Sequence, residues 1–123
     1  CPHSRNTEVR LEDVLKHPEL QVLAKSEEAG VLLVLNEYGS GSQVFIQGHP
    51  EYDRMTLSNE YHRDVAKGLN PSLPKNYFSD NDPFSRPVLS WRNFSNTLYG
   101  NWLNFYVYQN TPYELSNNFD WVI

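Results

Sequence analysis

Cysteine is all but missing from this sequence. Cys1 is the single one among 123 residues, which excludes an intramolecular disulfide and any zinc site built on several thiolates, and agrees with a reducing compartment. Positive charge is also short: 10 Lys+Arg face 15 Asp+Glu, for a formal charge of −5 and an isoelectric point near 5.2. That balance excludes the sequence-independent phosphate attraction on which nucleic-acid binders rely, and attraction to an anionic membrane surface. Long apolar runs are absent. The longest aliphatic one covers residues 31–35, against the roughly 20 residues of a membrane span, and no charged-then-apolar signal segment opens the chain. An initiator methionine is missing too, and the opening Cys-Pro-His-Ser reads as mid-protein sequence. The expectation is a soluble, cytoplasmic protein, with no nucleic-acid or membrane partner, of which this chain is one piece.

What is present is one domain's worth of residues with strand-like and helix-like patterning. Residues 20–24, 31–35 and 43–47 read as strands, with Gly30 and Gly39-Ser40-Gly41-Ser42 as the turns between them. A strand as uniformly apolar as 31–35 is usually covered on both faces, as in an α/β sheet. The 30 residues before it offer little to cover it, so part of the sheet is expected to lie elsewhere.

Asp53 can cap a helix in which Leu57, Tyr61 and Val65 recur at every fourth position, with Gly68 and then Pro71 to stop it. Residues 70–88 hold Pro71, Pro74, Pro83 and Pro87 among Asp and Asn, a composition that predicts an irregular surface excursion. Trp91, Phe94, Leu98, Trp102, Phe105 and Gln109 then step by three and four, predicting a long aromatic helix closed by Pro112. Burial alone demands such spacing, so the stripe reads as core rather than as a ligand-stacking surface.

The sharpest local feature is Gly48-His49-Pro50-Glu51-Tyr52, where a strand ends and a helix is about to begin. In an α/β sheet, sites form at such carboxyl ends. His49 and Glu51 are two apart, so in an extended segment their side chains leave on the same side. A carboxylate there can hold the imidazole Nδ1–H, leaving Nε2 as a general base and stabilising the imidazolium that proton abstraction creates. That is two-thirds of a nucleophile triad. Cys1 does not supply the third member, because an activated thiol of this class sits on a sharp strand-to-helix turn and Cys1 has only Pro2-His3-Ser4 after it. His17 and His62, beside charged neighbours, read as solvated surface. Arg63 has two readings: a helix-surface pair with Glu60, which the residues alone favour, and a bidentate clamp for a substrate carboxylate.

Pro2-His3-Ser4-Arg5, Ser26-Glu27-Glu28-Ala29-Gly30, Gly48-His49-Pro50-Glu51-Tyr52-Asp53, Asn76-Tyr77-Phe78 with Asn81-Asp82-Pro83, Trp91-Arg92, and Asn101-Trp102-Leu103-Asn104-Phe105-Tyr106-Val107-Tyr108-Gln109 with Thr111-Pro112-Tyr113 together resemble the homoserine O-acyltransferases of methionine biosynthesis. The likeness is to the branch built on the class I glutamine-amidotransferase-like fold, and it runs nearly end to end over that family's C-terminal portion. It implies a flavodoxin-like three-layer α/β architecture in which residues 1–123 are part of a single domain. It also implies a ping-pong reaction in which a cysteine thiolate takes an acetyl or succinyl group from acyl-CoA and the homoserine hydroxyl then collects it. By motif match His49 is the general base, Glu51 its orienting acid, Arg63 the residue that binds the homoserine carboxylate, and Ser4 a residue of the substrate pocket. The family's nucleophilic cysteine, oxyanion hole and a substrate-binding lysine match nothing in this chain, which is therefore expected to hold half a site and show no turnover alone. Neither a metal nor a resident cofactor is implied, acyl-CoA being a co-substrate; a homodimer is possible.

Two competing readings stay open. A true glutamine amidotransferase or related cysteine peptidase shares the His-x-Glu pair, although the motif from Trp91 to Tyr113 speaks against it. A non-catalytic binding domain, for instance a carbohydrate-binding one, is suggested by the 14% aromatic content. Such a module would expose several of Trp91, Trp102 and Trp121, whereas the helical stripe predicts that the first two are buried. The choice of acetyl or succinyl donor depends on pocket walls outside this chain.

Overall fold

Strands form where the apolar runs are. In the computed structural model, which describes residues 1–38 and 41–111, β1 (Leu20–Ser26), β2 (Gly30–Tyr38) and β3 (Gly41–Ile46) make a three-stranded antiparallel meander in the order β1-β2-β3. Gly30, at φ +70°, turns the chain between the first two, and the Ser26 hydroxyl accepts the Ala29 N–H at 3.0 Å. The mixed α/β class is as expected, while every strand pairing among the described residues is antiparallel. Gly41 and Ser42, expected in a turn, instead begin β3; positions 39 and 40 lie outside the described residues.

The middle strand explains its own composition. Val31, Leu33, Val34 and Leu35 are all buried, so β2 is covered on both faces. Contrary to expectation, one cover does come from the preceding residues: helix α1 (Leu11–Val14) sets Val14 against Val31 and Val34, with Leu11, Leu20 and Val22 around them. Lys25 lies opposite Val31 and Ala24 opposite Leu33, leaving Leu32 as an extra residue whose bulge brings Val31 and Val34 to one side. On the other face Leu33 and Leu35 pair across to Ile46 and Val44. Val44 and Ile46 in turn line a cavity of about 250 Å³ with Leu98, Tyr99 and Trp102.

Helix α2 (Thr56–Ala66) begins where Asp53 predicts, its Oδ1 accepting the N–H groups of Met55 at 2.7 Å and Thr56 at 2.9 Å. Those donors hold the Asp53 carboxyl below its usual range. At the other end Gly68 takes φ +71°, its N–H bonding the Val65 carbonyl while Leu69 N–H reaches the Asp64 carbonyl, which closes the helix in a Schellman motif. Leu57 is buried and Tyr61 half-buried as predicted, but Val65 is exposed.

Two expectations need correction. Residues 70–88 are not a mere surface excursion: Tyr77, Phe78 and Pro87 are buried, and Tyr77 and Phe78 join Leu57 and Trp91 in a second core. Asn76 at φ 56° and a bridge between Phe78 and Pro87 turn those aromatics inward, a result the proline count hides. The aromatic stripe is only partly core as well. Trp91 is buried, but Phe94 within α3 (Arg92–Asn101) is exposed, and so are Trp102 and Phe105 in the π-wound segment that follows (Trp102–Tyr108), whose wider turns break the 3.6-residue period. Pro112, Tyr113 and Trp121 lie outside the described residues. Among the described residues, no helix is long and apolar enough to cross a membrane.

A Cβ at position 68 would meet nothing within 4 Å, so Gly68→Ala isolates the backbone cost of a positive φ. Urea unfolding is expected to show a loss of about 1 kcal/mol, with Gly68→Asn losing less because asparagine tolerates that conformation.

Candidate active site

The segment after β3 that carries His49 belongs to no strand or helix, so its polar groups must find partners elsewhere. Gly48 opens it under tight constraint: a Cβ there would lie 2.7 Å from Cys1 Sγ, 2.9 Å from Leu32 Cδ1 and 3.0 Å from the Pro2 carbonyl oxygen. That close approach lets His49 N–H donate to Pro2 O at 2.8 Å. Arg5 staples the same N-terminal segment, giving Nη1 to Gln47 O at 3.0 Å and Nη2 to Ala29 O at 2.6 Å. Beyond His49, alternate carbonyls are taken by side chains of the second core. Ser95 Oγ lies 2.6 Å from Pro50 O, Trp91 Nε1 donates to Tyr52 O at 3.0 Å, and Tyr77 OH donates to Arg54 O.

On this frame His49 Nδ1 meets Glu51 Oε1 at 2.8 Å, and among the described residues its Nε2 carries no partner. The Tyr52 ring stacks on the imidazole, with centroids 4.3 Å apart and planes 17° from parallel. Tyr52 OH donates to Glu60 Oε1 at 2.8 Å, and Ser4 Oγ donates to Glu60 Oε2 at 2.7 Å. One carboxylate on α2 thus ties Ser4 to the residue that flanks the base. Arg63, one turn beyond Glu60, does not pair with it as the sequence alone favours; its Nε donates to Asp64 Oδ1 at 2.8 Å, so its two Nη groups remain available at an exposed position.

The structure therefore places His49, Glu51 and Ser4 in one connected network and sets Arg63 beside it. Tyr52 and Glu60 complete the network, and sequence reasoning missed the role of both. Ser4 and Glu60 are 56 positions apart, so nothing local signals their meeting. His3 is a third omission: among the described residues its Nδ1 is buried without a partner, and burial, then the charge of Arg5, push its pKa down, favouring the neutral ring. Burial, followed by the bond to Glu60, pushes the Tyr52 phenol up, so it stays a donor at neutral pH. His62, expected on the surface, is half-buried, with Nε2 2.9 Å from Pro83 O. His17 is exposed as expected, beside Glu19. Among the described residues, no group of three or more His, Cys, Asp or Glu is placed to hold a metal ion.

An imidazole oriented through Nδ1 by a carboxylate, with Nε2 open, can serve as the base half of a nucleophile triad. Comparison with known proteins makes the class specific. The homoserine O-succinyltransferase family profile matches residues 1–113, and the chain belongs to that family. It is 57% identical over 118 residues to a homoserine O-acetyltransferase of Agathobacter rectalis and 60% identical over 115 residues to one of Lachnoclostridium phytofermentans, alignments that cover 96% and 94% of this chain. A homoserine O-succinyltransferase of a Shewanella species is 52% identical over 117 residues, covering 95% of the chain. The chain spans only 36–38% of the length of these relatives.

Ser95 is buried on α3 and supplies the hydroxyl facing the Pro50 carbonyl. Ser95→Ala is expected to cost about 1–3 kcal/mol in urea unfolding, the price of leaving a buried carbonyl unpaired. A loss near zero would show that the loop is held without it.

Proposed function

We propose that residues 1–123 form the C-terminal portion of a cytoplasmic homoserine O-acyltransferase with a class I glutamine-amidotransferase-like fold, in which they supply the base and part of the homoserine pocket. The observation that carries this reading is the His49–Glu51 pair, 2.8 Å apart on a loop fixed by Pro2, Ser95 and Trp91, in a chain of the homoserine O-succinyltransferase family. A cysteine outside this chain takes the acyl group from acetyl-CoA or succinyl-CoA as a thioester. His49 Nε2 removes the thiol proton and hands it to the departing CoA sulfur, then takes the homoserine hydroxyl proton and returns it to the cysteine sulfur as the ester forms. Glu51 fixes the tautomer and stabilises the imidazolium. Arg63, whose Nη groups are not spent on Asp64, takes the homoserine carboxylate in bidentate fashion, and Ser4 sits in the same pocket through Glu60. Relatives of both acyl specificities are 52–60% identical to this chain, which supports placing donor choice in pocket walls outside it.

The test uses the full-length polypeptide that carries this sequence. His49→Ala is expected to lower kcat by at least about a hundredfold, and Glu51→Gln by at least about tenfold. Arg63→Ala should raise KM for homoserine while acyl-enzyme formation keeps its rate; equal damage to both half-reactions would make Arg63 structural.

A further inference from the structure

Three arginines, Arg54, Arg86 and Arg92, line one open cavity of about 520 Å³ together with Leu89, Ser90 and Asn93. In a chain of charge −5 with only 10 basic residues, that convergence calls for an explanation. Cations gathered around one polar cavity repel each other unless an anion lies between them. Among the described residues none of the three is in an ion pair; Arg54 gives Nη1 to the Pro87 carbonyl at 2.8 Å, which fixes its guanidinium at the cavity wall. Arg86 and Arg92 are exposed and Arg54 half-buried. We infer that this cavity is an anion site for the phosphate groups of the nucleotide end of acyl-CoA.

The assignment of the ligand rests on the proposed acyltransferase reading. Of the two substrates in that reading, only acyl-CoA carries phosphate, and the single carboxylate of homoserine is already assigned to Arg63. The cavity is also built on the loop of the base. Arg54 lies two residues past Tyr52, whose ring stacks on His49, and Ser90 and Arg92 flank Trp91, whose indole holds the Tyr52 carbonyl. A ligand anchored by its phosphates there extends its flexible pantetheine arm toward the same loop. Guanidinium groups suit phosphate because their planar forks form paired, charge-assisted hydrogen bonds.

The test uses the full-length protein and reads binding before turnover. Calorimetric titration with CoA, 3′,5′-ADP, dephospho-CoA and inorganic phosphate is compared for the native protein, Arg86→Ala, Arg92→Ala and the double variant. Each single substitution is expected to weaken CoA and 3′,5′-ADP about tenfold. Dephospho-CoA should bind more weakly than CoA to the native protein and lose less on substitution. In turnover, the native preference for acyl-CoA over the phosphate-free S-acyl-pantetheine, taken as a ratio of kcat/KM, should shrink by a similar factor. Added salt offers a second reading that needs no variant: the native Kd for CoA should rise with ionic strength more than that for pantetheine. CoA affinity indifferent to both substitutions, a loss confined to inorganic phosphate, or equal losses with acyl-CoA and S-acyl-pantetheine would each overturn the site. Arginine-dependent CoA binding in a protein that transfers nothing to homoserine would support the site and overturn the acyltransferase reading instead.

Discussion

The segment that carries His49 has no ladder and no helix to satisfy its backbone, and the rest of the chain is arranged around that constraint. Proline at position 50 removes one N–H from the segment, and the carbonyls of Pro50, Tyr52 and Arg54 accept hydrogen bonds in turn from Ser95, Trp91 and Tyr77. Two of these three partners, Tyr77 and Trp91, are also members of the second core. Packing of the core and placement of the His49 loop are therefore one event: burying the Tyr77 and Trp91 rings aims the phenol and indole donors at the loop. The same phenol accepts the Ser58 N–H at 3.0 Å, so the first turn of α2 is set by the group that sets the loop.

From that frame the polar network follows. Glu60 has two oxygens and both are used, one by Tyr52 and one by Ser4, so its carboxylate spans the distance between the base and the N-terminal segment. With its pKa pushed up, Tyr52 remains a donor to Glu60, and with its own pushed down, His3 adds no positive charge beside His49 at neutral pH. Arg63 gives one donor to Asp64, the adjacent carboxylate, and its two Nη groups stay out of that pair. Charge in this region is thus held by local pairing while the hydrogen-bonding capacity that faces outward stays open, the state of preorganisation that binding and proton transfer both favour.

Much of this was legible where a single residue acts on its own backbone. The apolar run of β2, the Asp53 cap, the stop at Gly68 and the His-x-Glu spacing are local rules, and each holds. Readings that depended on distant partners fared less well. Tyr77 and Phe78 sit in a stretch whose prolines signal a loop, and only the fold shows that the loop turns them into the core. The aromatic stripe assumed one helical period from Trp91 onward, whereas the π-wound turns past Asn101 leave Trp102 and Phe105 exposed. The sequence offers Glu60 only as a partner for Arg63, because i,i+3 spacing is visible in sequence and a serine 56 positions away is not. Antiparallel pairing across all three described strands likewise depends on which runs adjoin, which composition does not encode.

In the proposed function these residues serve a covalent acyl transfer whose nucleophile lies outside them. Intact-mass and peptide-mapping measurements on the full-length polypeptide, after brief exposure to acetyl-CoA or succinyl-CoA with homoserine withheld, put that proposal to the test. One acyl adduct is expected, from one of the two donors, on a cysteine outside residues 1–123, discharged when homoserine is added. An adduct on Cys1, or none from either donor on folded protein, would contradict it.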